Sequence, residues 1–237
     1  MDIIQKIKQK KELADIDDTF VKKFLTKYKL ENLTPKQEKI IIKEVRQKLR
    51  ILYGLFRTKQ KGPMLERHAS TRERLGIYIN LYKKIFAITG NPKTILDLGC
   101  GVNPFSYPYL GCKPKYYAYD ISVDEINEIN EYFKEEKIKG KAEILDLLNI
   151  DKLPSVDVAF LFKMTDMIDQ GKGHKKTEEL LKAIPAKWIV ASFPTKTMSG
   201  KRMNVPHRNW MEWLCRRLGW SYEIIEFTNE LFYVIGK

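Results

Sequence analysis

Thr94-Ile-Leu-Asp-Leu-Gly-Cys-Gly-Val-Asn-Pro-Phe105 runs a short apolar stretch straight into a pair of glycines, a pattern that lets a ligand approach the backbone. A dinucleotide site places G-x-G-x-x-G at a helix start, so that the helix amides receive a pyrophosphate. This run lacks the third glycine, and Asn103-Pro104 stands where that helix would begin. No Lys-Ser or Lys-Thr pair follows to build the other common phosphate loop. A ligand without a pyrophosphate is expected. What the run offers instead is a carboxylate, Asp97, two residues ahead of Gly99, with Gly101 beyond it. A second carboxylate, Asp120, ends the apolar stretch Tyr116-Tyr-Ala-Tyr-Asp120, at the distance of roughly 20 residues where doubly wound folds place a group that holds ribose hydroxyls.

The D-x-G-x-G pattern resembles the first motif of methyltransferases that use S-adenosylmethionine (SAM). The chemistry suits that resemblance. SAM has no phosphate, but it has an amino-acid end, a ribose and an adenine. Gly99 and Gly101 would let the backbone approach the methionine part, Asp97 would orient its ammonium, and Asp120 with Ile121 beside it would meet the ribose. Asp146, after the predicted strand Ala142 to Leu145, would accept a hydrogen bond from the adenine amine, and Leu147 would cover the ring. Asp151 and Asp157 adjoin a turn around Pro154 and are expected to be solvated or capping.

Apolar and β-branched runs predict the elements that carry these groups. From Lys93 onward, predicted strands at Thr94 to Leu98, Tyr116 to Tyr119, Ala142 to Leu145, Val156 to Phe162 and Trp188 to Ser192 alternate with helical stretches. Such alternation implies an α/β fold with a mostly parallel sheet. A final pair, Tyr222 to Phe227 and Leu231 to Ile235, reads as a hairpin that adds an antiparallel strand. The expected organisation is a basic helical domain and linker over residues 1–90, then a Rossmann-like SAM-dependent methyltransferase domain over 91–237.

The formal charge of +13 is concentrated at one end: residues 1–61 hold 17 Lys or Arg against 8 Asp or Glu, an excess of nine. This points to a polyanion partner. Apolar residues there recur at helical spacing, as Phe20, Phe24 and Leu25, then Ile41, Val45, Leu49 and Leu52 after a cap at Thr34-Pro35. No apolar run reaches the ~18 residues of a membrane span, and the lysines at 6, 8, 10 and 11 precede no signal-peptide core. A cytoplasmic protein with no membrane partner is expected. Cys100, Cys112 and Cys215 are too scattered for a disulfide framework or a metal site, and His68, His174 and His207 are equally dispersed.

Five runs, in order, carry a more specific resemblance: His68-Ala-Ser-Thr-Arg-Glu-Arg-Leu75, Ile95-Leu-Asp-Leu-Gly-Cys-Gly-Val-Asn-Pro104, Val158-Ala-Phe-Leu-Phe-Lys-Met164, Ser192-Phe-Pro-Thr-Lys-Thr-Met-Ser-Gly-Lys201 and Asn229-Glu-Leu-Phe-Tyr-Val234. Together they resemble the aminoglycoside-resistance methyltransferases that make 7-methylguanosine in the decoding site of 16S rRNA. The first 60 residues match only in being basic and helical. One departure falls after the Ser-Gly turn, where Ser199-Gly-Lys-Arg-Met-Asn-Val-Pro-His-Arg208 continues with a proline and a histidine.

The resemblance implies roles. Arg74 is expected to fork onto the SAM carboxylate, a planar geometry lysine cannot reproduce, with Arg72 as the alternative. Ser70 or Thr71 would cap a helix with Glu73 reaching back. Lys163, at the end of an apolar strand, is assigned to the target base or a phosphate, the alternative being a salt-bridged structural lysine. Lys196 is its companion in the catalytic assignment. Phe193 and Pro194 would stack the extruded base, Lys201 and Arg202 would reach over the pocket mouth, and Trp210, Trp213 and Trp220 are expected in the core. Guanine N7 carries a lone pair at neutral pH, so no general base is required, and neither an Asn-Pro-Pro-Tyr motif nor a cysteine nucleophile is needed.

The implied activity is methyl transfer from SAM to N7 of a guanine in 16S rRNA of the small subunit, by a monomer. Residues 1–61 would give RNA affinity and no part of the cofactor site. A methyltransferase of another RNA such as tRNA is the second reading, and a non-enzymatic RNA-binding protein with a relic SAM fold the third. Aminoglycoside resistance is the implied consequence, with a housekeeping role as the alternative.

Overall fold

A computed structural model of the chain describes residues 2–50, 63–150, 152–169, 173–197 and 200–237. Its centre is a seven-stranded sheet built from β1 (Thr94–Leu98), β2 (Lys115–Asp120), β3 (Gly140–Ile144), β4 (Val156–Phe162), β5 (Ala186–Pro194), β6 (Ser221–Glu226) and β7 (Glu230–Gly236). The order across the sheet is β3-β2-β1-β4-β5-β7-β6. The first five strands are parallel, and β7 enters antiparallel between β5 and β6. The two halves diverge between β1 and β4, where the carboxyl ends of the strands open a crevice for a ligand.

Alternation along each strand feeds two cores. On one face Ile95, Ala118, Val158, Phe160 and Phe232 are buried under α5 (Tyr78–Thr89) and α6 (Val123–Glu135). On the other, Leu96, Leu98, Ala159, Leu161, Ile189, Ala191 and Tyr233 are buried with α7 (Thr165–Asp169), α8 (Lys175–Ala183) and α9 (Asn209–Leu218). Strands covered on both faces must be nearly all apolar, which is why β4 reads Val-Asp-Val-Ala-Phe-Leu-Phe. Its one acid, Asp157, lies at the start of the strand, accepting the amides of Lys93 and Thr94.

The described chain opens with α1 (Ile3–Lys8), α2 (Asp18–Leu25) and α3 (Pro35–Leu49). The Thr34-Pro35 start holds. Thr34 and Gln37 form a reciprocal capping box with proline in the first turn. Asp17 caps α2 through the amide of Phe20, at 3.0 Å. Ile4, Ile7, Leu13, Phe20, Val21, Leu25, Ile41, Val45 and Leu49 close a third core between them. Leu52, expected to extend that stripe, lies outside the described residues, as does the rest of the 51–62 stretch. The segment before the sheet is completed by α4 (Ala69–Arg74) and by α5, whose Leu81, Tyr82 and Ile85 join the core of the sheet.

Two local expectations change. α4 carries no side-chain cap; Thr71 Oγ1 donates instead to the carbonyls of Leu65 and His68, tying the helix to the preceding turn. Trp213 is 61 % exposed, although Trp210 and Trp220 pack against the core. On α9 the buried stripe is Met211, Leu214 and Cys215, so Trp213 falls outside it, with the guanidinium of Arg217 over its ring at 4.8 Å.

Candidate functional site

At the carboxyl end of β1 the chain turns through Gly99 and Gly101, with φ of +65° and +47°. A Cβ at Gly99 would stand 2.5 Å from the Met164 side chain, and one at Gly101 would stand 2.7 Å from the imidazole of His68. Both glycines are required by that left-handed backbone and by the close approach. The amides of Gly99 and Cys100 donate to the carbonyl of Tyr119, which fixes the turn against β2.

A cavity opens over this turn. Its walls include Asp97, Gly99, Gly101, Asp120, Ile121, Asp146 and Leu147, together with Arg74 and Lys163. Eight of the residues predicted for the cofactor, from separate parts of the sequence, are therefore brought to one place, with Lys163 beside them. Asp97 is buried and accepts from Asn103 Nδ2 at 2.8 Å and Tyr116 OH at 2.7 Å. Burial pushes its carboxyl up to about 6, against the pull of those two hydrogen bonds. Asp120 accepts the amides of Gly101, Ile121 and Ser122. Burial and the neighbouring Glu125 charge raise it, and the amide bonds oppose them.

Arg74 is buried to 2 % exposure, and its fork is engaged by a partner from its own chain. Nε donates to Glu230 Oε2 at 2.9 Å and Nη2 to Oε1 at 2.6 Å. Ser192 Oγ donates to the same Glu230 oxygen at 2.5 Å, and the guanidinium lies over the Phe162 ring. Burial alone would lift Glu230, but the charges of Arg74 and Lys163 outweigh it and leave its carboxyl lowered. Lys163, in left-handed backbone at φ +56°, places Nζ 2.8 Å from Glu73 and 3.6 Å from Glu230. It is thus salt-bridged and at the cavity wall at once.

The other predicted groups lie elsewhere. Phe193 is fully buried, its ring edge-on to Trp210 and Tyr233, so it does not face the cavity as a stacking platform. Strand alternation is the reason: it puts Phe193 on the α9 face with Ile189 and Ala191, and Ser192 on the opposite face with Glu230. Pro194 ends β5 half-buried and is absent from the cavity wall. Lys196 and Arg202 face each other across an antiparallel bridge, with Met203 N donating to Thr195 O and Thr197 N to Lys201 O. Lys201 and Arg202 are exposed on this arm. Met198 and Ser199 of the run lie outside the described residues, and so does Asp151.

Several site residues carried no isolated signal. His68 Nε2 meets Glu125 Oε1 at 2.7 Å on the cavity wall, and Phe162 and Met164 add apolar surface. Glu230 stood inside a quoted run without a role, and only the β5–β7 pairing brings it opposite Pro194 and next to Arg74. Phe20 and Lys23 come from the first helices: Phe20 lines the cavity and Lys23 Nζ is bonded to Asp146 Oδ2. This departs from the expected division in which residues 1–61 take no part in the cofactor site. The three cysteines are poor nucleophiles, since burial raises each thiol and takes Cys215 to about 11.

This sheet order, with a crevice at β1 and β4 holding a glycine turn and a row of carboxylates, defines an α/β fold of the SAM-dependent methyltransferase class. The chain belongs to the ribosomal RNA methyltransferase (FmrO) family, whose family model matches residues 60–234. A 16S rRNA (guanine(1405)-N(7))-methyltransferase of Micromonospora echinospora is 31% identical over 179 residues, 72% of this chain and 63% of that protein. A protein of the same name from Frankia casuarinae is 27% identical over 176 residues, 72% of this chain and 61% of its own length. The chain thus spans a little under two thirds of these curated relatives. The solved structure of 16S rRNA methyltransferase RmtF in complex with S-adenosyl-L-homocysteine has the same fold, with a TM-score of 0.80 at 24% identity, covering 100% of this chain and 99% of that one. Among the described residues no helix is long and apolar enough to cross a membrane.

Proposed function

We propose that this protein transfers a methyl group from SAM to N7 of a guanine in 16S rRNA of the small ribosomal subunit. The observation that carries the reading is the convergence of Asp97, Asp120 and Asp146, one after another at the ends of β1, β2 and β3, around the Gly99–Gly101 turn. Family membership supplies the nucleic acid, and the names of the curated relatives supply the base and atom.

The cavity fits the cofactor chemically. Asp97 offers a charge for an ammonium, Asp120 a carboxylate for ribose hydroxyls, and Ile121, Leu145 and Leu147 apolar surface for a heteroaromatic ring. A guanidinium has more donors than Glu230 uses, so Arg74 takes the carboxylate of the methionine end without releasing Glu230. Once bound, SAM supplies an electrophilic methyl group.

The protein's own task is then to fix the guanine and exclude water. N7 lies in the deep, narrow major groove of A-form RNA, so the base must leave its stack to reach the crevice. Lys163, beside the glycine turn, is the cation for the base O6 or a flanking phosphate. Lys196, Lys201 and Arg202 on the arm after β5, and the basic helices α1 to α3, are the contacts for the RNA backbone. In this reading the chain acts as a soluble monomer in the cytoplasm, and resistance to aminoglycosides is its consequence.

The test is incubation of purified small subunits, and separately of total tRNA, with SAM and the protein, followed by nucleoside mass spectrometry. 7-Methylguanosine in the small-subunit RNA supports the reading; its appearance only in tRNA replaces the substrate, and its absence from both defeats the activity.

A further inference from the structure

The α2 helix forms part of the cofactor cavity itself. Phe20 lines it together with Ile121, Leu145, Leu147 and Leu148. Lys23 lies three residues further along α2, on the same side of the helix, and its ammonium is bonded to Asp146 Oδ2, while the Leu148 amide donates to Oδ1 at 2.9 Å. With the Asn149 amide turned to its hydrogen-bonded orientation, its oxygen also accepts from Lys23, at 2.6 Å.

The approach to α2 is bonded to the residues that follow Asp120. Asp17 N donates to Ile121 O at 3.1 Å, Val123 N to Asp15 O at 3.0 Å, and Ser122 Oγ to Asp15 Oδ2 at 2.8 Å. Ile16 pairs with Ser122 in an antiparallel bridge, and Ile121 packs against the core of the first helices. These contacts hold α2, and Phe20 with it, against the cavity that Ile121 and Leu147 also line.

We infer that Phe20 and Lys23 are cofactor-site residues: Phe20 covers the adenine ring, and Lys23 acts as a positioning residue that fixes Asp146 to receive the exocyclic amine. The inference rests on the reading of the cavity as a SAM site. A carboxylate has about four acceptor positions, so Asp146 holds Lys23 and Leu148 and still takes the amine.

Calorimetry on the full chain tests this with two probes, S-adenosylhomocysteine and S-inosylhomocysteine, in which a carbonyl oxygen replaces the exocyclic amine and N1 carries a hydrogen. The parent prefers the adenosyl ligand by about tenfold, the value of one hydrogen bond to a charged group. In Lys23→Ala that preference shrinks toward parity, and Lys23→Arg restores it. Phe20→Ala weakens both ligands by about the same factor of ten, as loss of a packed aromatic face would, and Phe20→Leu weakens them less. A purely structural role for Lys23 would weaken both ligands and leave their ratio at the parent value, and that result overturns the inference, as does parent-like binding by Phe20→Ala. If the parent binds neither ligand, the cofactor reading itself falls; unchanged variants of a parent that binds defeat the inference alone.

Discussion

Glu230 holds Arg74 through two bonds, at 2.9 and 2.6 Å, with both side chains at about the same near-complete burial. A charge buried to this degree is tolerated because its counter-charge is buried with it, and removing one partner leaves the other stranded. Glu230→Gln is expected to destabilise the fold by about 3–5 kcal/mol, the range for breaking a buried ion pair, measured by urea unfolding. A loss below ~1 kcal/mol, the range of exposed pairs, would show that the pair does not constrain the fold.

The same pair sets a direction with pH. The Glu230 carboxyl is held below its ordinary value, so its stabilisation is fully present above the unfolded pKa of roughly 4.3 and is lost as pH falls through the folded value. The acid limb of a stability curve should flatten below about pH 4 in Glu230→Gln. An identical acid limb in parent and variant would contradict this.

Asp97 behaves in the opposite sense. With its carboxyl pushed up to about 6 by burial, it is ionised at neutral pH and becomes protonated just below. Cofactor binding through an ammonium requires the charged form, so affinity for S-adenosylhomocysteine should fall as pH drops from 7 to 5, approaching tenfold per unit below the pKa. Asp97→Asn should bind weakly and without that slope. A pH-independent affinity in the parent would remove Asp97 from the ammonium.

Much of this arrangement was legible from residue order. β1 and β4 carry their boundaries in largely apolar runs, each broken by a single acid, and Thr34-Pro35 announces α3, because burial on both sheet faces and capping are local demands. The residues predicted for the cofactor were legible as neighbours because topology brings the strand ends to one cavity. Glu230, Phe20 and Lys23 were not, since each meets its partner across a large sequence separation: 156 residues for Arg74 with Glu230, and 123 for Lys23 with Asp146. Phe193 failed for the reverse reason. Its position just before the lysine arm suggested a stacking role, while strand parity decided its face.

The glycine turn gives a further expectation. Gly99→Val meets both a φ of +65° and the Met164 side chain, which itself lines the cavity. Cofactor affinity should fall below detection in calorimetry while the far-ultraviolet circular dichroism stays that of the parent. Parent-like binding would remove the turn from the site.

The arm after β5 should be seen in salt dependence. Neutralising Lys196, Lys201 or Arg202 singly is expected to flatten the logarithmic slope of small-subunit binding by about one unit for each phosphate that the arm no longer neutralises, with cofactor affinity unchanged. A slope identical to the parent in all three variants would place the RNA elsewhere.

The most direct measurement locates the product. Small-subunit RNA treated with the protein and SAM is cleaved by borohydride and aniline at 7-methylguanosine and read by primer extension. A single stop in 16S rRNA is expected, lost with Lys163→Ala although that variant still binds S-adenosylhomocysteine. A stop absent from 16S rRNA and present in tRNA treated in parallel would contradict the assignment of the small subunit as substrate.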